Sequence, residues 1–142
     1  MQVDFAFLAD SAEVVNGKLY LMGGSFDTIY ARTLPFVYRP FAFVMRLEMS
    51  PAELDRTHKI EVHVLDADGR RIASVGGDLA VARNPNLPQG WPQGFLNVMN
   101  FANFKFDKRG DYSFEIMANG SSIKSVRFRV AEPPQSRLAQ TS

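Results

Sequence analysis

The run GDYSFEIMANGSSIKSVRFRV, residues 110 to 130, holds two alternating segments on either side of an Asn-Gly pair. In the first, Tyr112, Phe114, Ile116 and Ala118 fall on one parity and Ser113, Glu115 and Met117 on the other. In the second, Val126, Phe128 and Val130 oppose Ser125, Arg127 and Arg129. Strand side chains alternate between faces, so each segment reads as a strand with one apolar and one wet face. Asn119-Gly120 supplies the positive φ of a tight hairpin turn. The stretch is a β-hairpin that has to lay its apolar face on another layer.

The same period recurs along the chain. Phe41, Phe43, Met45, Leu47 and Met49 share one parity, with Arg46 and Glu48 on the other; Ile60, Val62 and Val64 oppose Lys59, Glu61 and His63. Weaker strands are expected at 3–9, 18–23, 25–31, 71–82 and 95–103, with Asn16-Gly17 and Asp68-Gly69 as further turns. The one helical signal is SPAELDR, residues 50–56, where Ser50 caps, Pro51 takes the first helical position and Glu53 completes a capping-box spacing. Many short half-buried strands need a second sheet to cover them, which predicts a β-sandwich of about eight strands. In DKRGDYSF, residues 107–114, a Gly and then a Tyr enter a late strand, close to the tyrosine corner of immunoglobulin-like sandwiches. That favours an immunoglobulin-like, Greek-key arrangement over an up-and-down barrel.

A chain of 142 residues forms one domain without needing disulfides or metal. The domain is expected over residues 1–131, with Glu132 to Ser142, EPPQSRLAQTS, as a disordered tail because its paired prolines and small polar residues show no periodicity. A formal net charge of +1 provides no general attraction to nucleic acid or to an acidic membrane. No apolar run approaches the ~20 residues of a membrane helix. MQVDFAFLADSAEV lacks the basic start of a secretion signal, and there is no cysteine, so a cytoplasmic protein is expected, bound neither to nucleic acid nor to membrane.

Several residues suggest chemistry and then fail its requirements. In LYLMGGSFDTIY, residues 19–30, a phosphate loop would need a helix after Gly23-Gly24, yet the residues that follow favour a strand. The glycines are read as a bulge or a corner between sheets. DADG, residues 66–69, lacks the closing acid of a calcium loop and runs into Arg70-Arg71, so it reads as a turn. Asp10, Asp27, Asp107 and Asp111 would bind a cation only if the fold gathered them. His58 and His63 stand five apart, on opposite faces of one strand, which disfavours a shared metal. No nucleophile elbow is present. Lys124, Arg127 and Arg129 read as a solvated face, since the aromatics that could stack bases lie on the buried parity.

The segment least like scaffolding is ARNPNLPQGWPQGF, residues 82–95, with three prolines, two PQG repeats and the only tryptophan. A proline-rich loop presenting one Trp suits recognition, so Trp91, Asn86, Gln89 and Gln93 are the candidate binding residues. The competing expectation is that Trp91 folds back over the core.

VDFAFLADSAEVVNGKLYLMGGSFDTI, FAFVMRLEM, HKIEVHVLDADGR and RGDYSFEIMANG, taken in that order with the closing VRFRV, resemble a family of small bacterial all-β proteins catalogued only as a domain of unknown function. The resemblance spans most of residues 2 to 130. It implies a one-domain all-β sandwich from a prokaryotic or phage-related source, and brings no activity or site residues. The resulting expectation is a non-enzymatic binding or assembly module that engages another macromolecule, a protein or a second copy of itself, through strand-end loops or a sheet edge. A carbohydrate- or calcium-binding sandwich is the alternative. No catalytic residue, metal or cofactor is assigned.

Overall fold

The computed structural model describes residues 1–134, and the greater part of the expected disordered tail, 135–142, lies outside them. The described chain is all-β apart from one 3₁₀ turn at Pro51–Glu53. Eleven strands replace the eight expected: β1 Gln2–Val15, β2 Lys18–Phe26, β3 Thr28–Tyr30, β4 Phe36–Val37, β5 Phe41–Met49, β6 Thr57–Leu65, β7 Arg71–Ala80, β8 Gln93–Phe101, β9 Lys105–Phe106, β10 Gly110–Ala118 and β11 Ser121–Ala131. β3 falls inside the strand expected at 25–31, and the strands without a counterpart in the sequence pattern are β4 and β9, whose two residues each are too short to carry an alternation.

One sheet has the order β2-β1-β5-β8, another β3-β11-β10-β6-β7, and β4 with β9 forms a small third. All neighbours are antiparallel except β3, which lies parallel to β11. The three hairpins turn where the sequence expects. Asn16 and Gly17 have φ of 51° and 73°, and Asn119 and Gly120 have 50° and 88°, giving these two turns two left-handed residues each, while in the β6–β7 turn Gly69 alone is left-handed, at 78°.

Both large sheets contribute to one core. Leu8, Phe43, Met45 and Leu47 from the first sheet meet Val62, Phe114 and Ile116 from the second, all fully buried. Phe114 is the hub of the aromatic packing, with ring centroids 4.6 Å from Phe43, 5.1 Å from Phe128 and 5.8 Å from Phe101. The inward parity of β5, β6, β10 and β11 matches the alternation. The outer face of β5 is drier than expected: beside Arg46 and Glu48, Ala42 and Val44 are fully buried with Ala9 under Phe5, Phe7 and Val98. The stacked rings of Phe5 and Phe7, 5.7 Å apart, supply that cover from the neighbouring strand, which alternation within β5 cannot reveal.

The glycine pair does bend a strand. The β1–β2 register slips as Leu8 pairs with Phe26 and Ala9 with Gly24, leaving Ser25 as the extra residue of a bulge. Gly23 has φ of 63° and Ser25 of 66°, and a Cβ on Gly23 would overlap the Asp10 carboxylate. Glycine is needed there both for the backbone and for the space. Four residues later the chain has entered β3 of the other sheet, so bulge and corner come together.

Candidate functional site

The loop between β7 and β8 is held at both ends. At one end Gln93 closes it on itself: its Oε1 accepts the Asn84 N–H at 2.9 Å and its Nε2 donates to the Ala82 carbonyl at 2.8 Å. Asn84 Oδ1 accepts the Asn86 N–H at 2.9 Å, and the Trp91 N–H donates to the Pro88 carbonyl at 3.2 Å. At the other end the loop is tied to the turn that follows β5. The Arg83 N–H donates to Asp55 Oδ1 at 3.1 Å, its guanidinium to the Pro51 carbonyl at 3.1 Å, and the Asp55 N–H to the Val81 carbonyl at 2.9 Å. Three prolines restrict the backbone between these anchors.

The result is a cleft of about 470 Å³ between the 3₁₀ turn and the loop, with Leu54, Pro85, Leu87, Pro88 and Trp91 among its walls. Trp91 is 58% exposed, so it does not fold back over the core. Gln89 and Gln93 line the same cleft, while Asn86 is not part of the wall. Gln93 is therefore a brace of the loop whose amide is already used at both ends. The sequence reading missed Arg83, Asp55 and Leu54. Arg83 and Asp55 meet across 28 residues, a separation that no local spacing rule spans.

The other candidate residues separate. Asp10 is paired with Arg39 at 2.7 Å, and Asp107 lies 3.7 Å from Lys105. Asp27 and Asp111 share a different groove, of about 550 Å³, with Asp66, Arg127 and Arg129. The four loop aspartates thus do not gather, and among the described residues no group of three His, Asp or Glu is placed to hold a metal. Both histidines lie on β6. His58 is buried, its Nε2 2.7 Å from the Glu53 carbonyl and its Nδ1 3.2 Å from the Asn119 amide, whereas His63 faces Glu61 at 3.4 Å.

Asp66 organises the β6–β7 turn. Its Oδ1 accepts the Asp68 and Arg70 N–H groups at 2.9 and 3.0 Å, and the Lys108 ammonium lies 3.5 Å from its Oδ2. Burial pushes this carboxyl up, but the two N–H donors and Lys108 outweigh it and hold it below the usual carboxylate range. A depressed carboxyl stabilises the fold above its unfolded-state value and loses that contribution as pH falls through the folded-state value. Asp66→Asn is therefore expected to flatten the acid limb of a plot of Tm against pH below about pH 4. Thermal melts of both proteins from neutral to acid pH check this, and parallel curves contradict it.

On the outside, the β1–β2 hairpin runs past the last β1–β5 pair, Ala9 with Ala42, and carries exposed Val14, Val15, Tyr20, Leu21 and Met22. Met22 is 74% exposed. Period-two parity marks Tyr20 and Met22 as outward, but the projection of the whole arm follows from where pairing with β5 stops.

A family model covers nearly all of these elements. The description "Family of unknown function (DUF6941)" matches residues 4–131, from the third residue of β1 to the last residue of β11. The chain belongs to the DUF6941 family. The match takes in both large sheets of the DUF6941 domain, its Trp91 loop and its projecting hairpin. No curated protein matches the sequence. Among solved structures, the Pseudomonas fluorescens alkylpurine DNA glycosylase AlkC, bound to DNA containing an abasic site analogue, is similar over 89% of this chain and 30% of its own, with 11% identity and a TM-score of 0.43. A β-glucuronidase from glycoside hydrolase family 2 is similar over 68% of this chain and 11% of its own, with 14% identity and a TM-score of 0.33. The DUF6941 chain thus spans less than a third of either, and likenesses this weak assign it no function.

Proposed function

We propose that this protein is a non-enzymatic binding module of the cytoplasm, an immunoglobulin-like Greek-key sandwich whose β7–β8 loop presents Trp91 to a protein partner. The observation that carries the reading is an exposed indole on a loop already fixed by Gln93, Arg83 and Asp55. A preorganised loop binds without the entropic cost of ordering itself, and Trp is the residue most favoured at binding hot spots. The immunoglobulin-like assignment is supported by Tyr112, which enters β10 and donates its hydroxyl to the Lys108 carbonyl at 2.5 Å, the bond that defines a tyrosine corner.

The test is capture from a lysate of the source organism on immobilised wild type and on Trp91→Ala, followed by titration of the purified partner. Trp91→Ala is expected to weaken binding about 30-fold, the equivalent of a 2 kcal/mol hot spot, with Tm unchanged. Equal affinities for the two proteins contradict the reading. Trp91-dependent retention on a polysaccharide gel, with no protein captured, would replace the protein partner by a sugar stacked on the indole.

A further inference from the structure

β8 is an unpaired sheet edge. β8 is the last strand of its sheet, nine residues long, paired with β5 from Phe41–Phe101 to Met49–Gln93 without a bulge. Natural edge strands are protected by charge, proline, bulges or brevity, and QGFLNVMNF has none of these. Among the described residues no hydrogen bond reaches the outer backbone groups of residues 94–101.

One inward residue of this strand is polar. Asn97 stands opposite buried Met45, in the row of Phe95 and Met99, and its Oδ1 is buried without a hydrogen-bond partner. It lines an apolar cleft of about 500 Å³ between β8 and β7, whose walls include Val75, Leu79, Phe95 and Met99. A buried carbonyl oxygen left unpaired is rare enough to call for a donor.

We infer that β8 pairs antiparallel with β8 of a second copy of this chain, across a two-fold axis through Asn97. Antiparallel pairing about a two-fold axis always sets one residue opposite itself. Centred on Asn97, the register matches Phe95 with Met99 and Leu96 with Val98, so apolar meets apolar on both faces. No like charges oppose each other, because the strand has none. The two Asn97 amides meet with Cβ atoms about 4.5–5.5 Å apart, where each Oδ1 accepts from the other's Nδ2. The orphaned oxygen acquires its donor and at the same time fixes the register, since a slip would leave it unpaired. The pairing also walls the mouth of the β7–β8 cleft, and being isologous it closes at two copies without propagating.

Two experiments on the full chain test this. In sedimentation velocity the wild type is expected to form a dimer whose fraction grows with concentration. Leu96→Lys, which adds the charge that edge strands normally use for protection, is expected to weaken that dimer at least tenfold. Because the chain has no cysteine, single substitutions then read the register. Asn97→Cys is expected to give a disulfide-linked dimer on mild oxidation. Asn100→Cys does not, because its two copies lie six residues apart along the strand, about 20 Å. A wild type that stays monomeric at every concentration overturns the inference, including the case where β8 takes a strand from a different protein. So does a dimer that survives Leu96→Lys, or equal cross-linking at 97 and 100. If Leu96→Lys fails to fold, the cysteine pair decides the matter alone.

Discussion

Phe114→Ala is expected to lower the unfolding free energy by about 3–5 kcal/mol, the range for an aromatic removed from a tight core. Phe114 is fully buried, and its ring lies 4.6 Å from Phe43 and 5.1 Å from Phe128, so it joins β5 of one sheet to β11 of the other. Its loss removes transfer free energy and opens a cavity that four neighbouring strands cannot close together, because each is fixed in register by its own ladder. The fall in Tm should be on the order of 10 °C, read by thermal melts and by the midpoint of urea unfolding. A loss under about 1 kcal/mol would mean that the two sheets do not depend on this contact.

The second large effect comes from the smallest side chain. In β7, Gly76 and Gly77 are adjacent and neither has a φ in the left-handed region, yet their surroundings are opposite. A Cβ on Gly76 would lie 2.5 Å from the Ile60 carbonyl oxygen and 2.8 Å from the Glu61 Cα, both backbone atoms of β6. A Cβ on Gly77 would meet nothing within 4 Å. Gly76→Ala therefore has to push β7 away from β6, with an expected cost of about 1–3 kcal/mol, whereas Gly77→Ala should stay within about 0.5 kcal/mol of wild type. Because both substitutions change strand propensity equally, the difference between their unfolding midpoints isolates the steric term. Equal midpoints would show that β7 is free to move outward.

Which parts of this structure were legible in the sequence follows from the reach of each rule. Period-two alternation is local and strong, so the inward faces of β5, β6, β10 and β11 and the Asn-Gly turns could be assigned from Phe43, Val62, Phe114, Phe128 and their neighbours. Gly23-Gly24 was readable as a bulge because a β-branched and aromatic run follows it. The strands β4 and β9 were not readable, since Phe36 with Phe106 is a pairing of two short pieces 70 residues apart in the chain. The dry outer face of β5 depends on Phe5 and Phe7 lying beside Ala42 and Val44, which only the strand order reveals.

The candidate site divides in the same way. Trp91 stood out by composition, because a lone Trp among prolines is rare whatever the fold. The bonds that make its loop rigid did not, since Gln93 acts through the carbonyl of Ala82 and the N–H of Asn84, and a glutamine in a loop gives no sign of its partners. Asn97 was hidden for a related reason. A single Asn in an alternating strand looks unremarkable until its neighbours prove apolar and its oxygen proves unpaired.

The β7–β8 loop holds Trp91 out in solvent on a support braced by Gln93, Arg83 and Asp55, and as the only tryptophan it reports on itself. Steady-state fluorescence of the purified protein, with acrylamide quenching and anisotropy, measures both parts. The expected result is a water-like, readily quenched emission whose anisotropy follows the tumbling of the whole domain. A blue-shifted, quencher-protected emission would put Trp91 against the core, and a rapidly depolarised one would remove the preformed loop on which the proposed function rests.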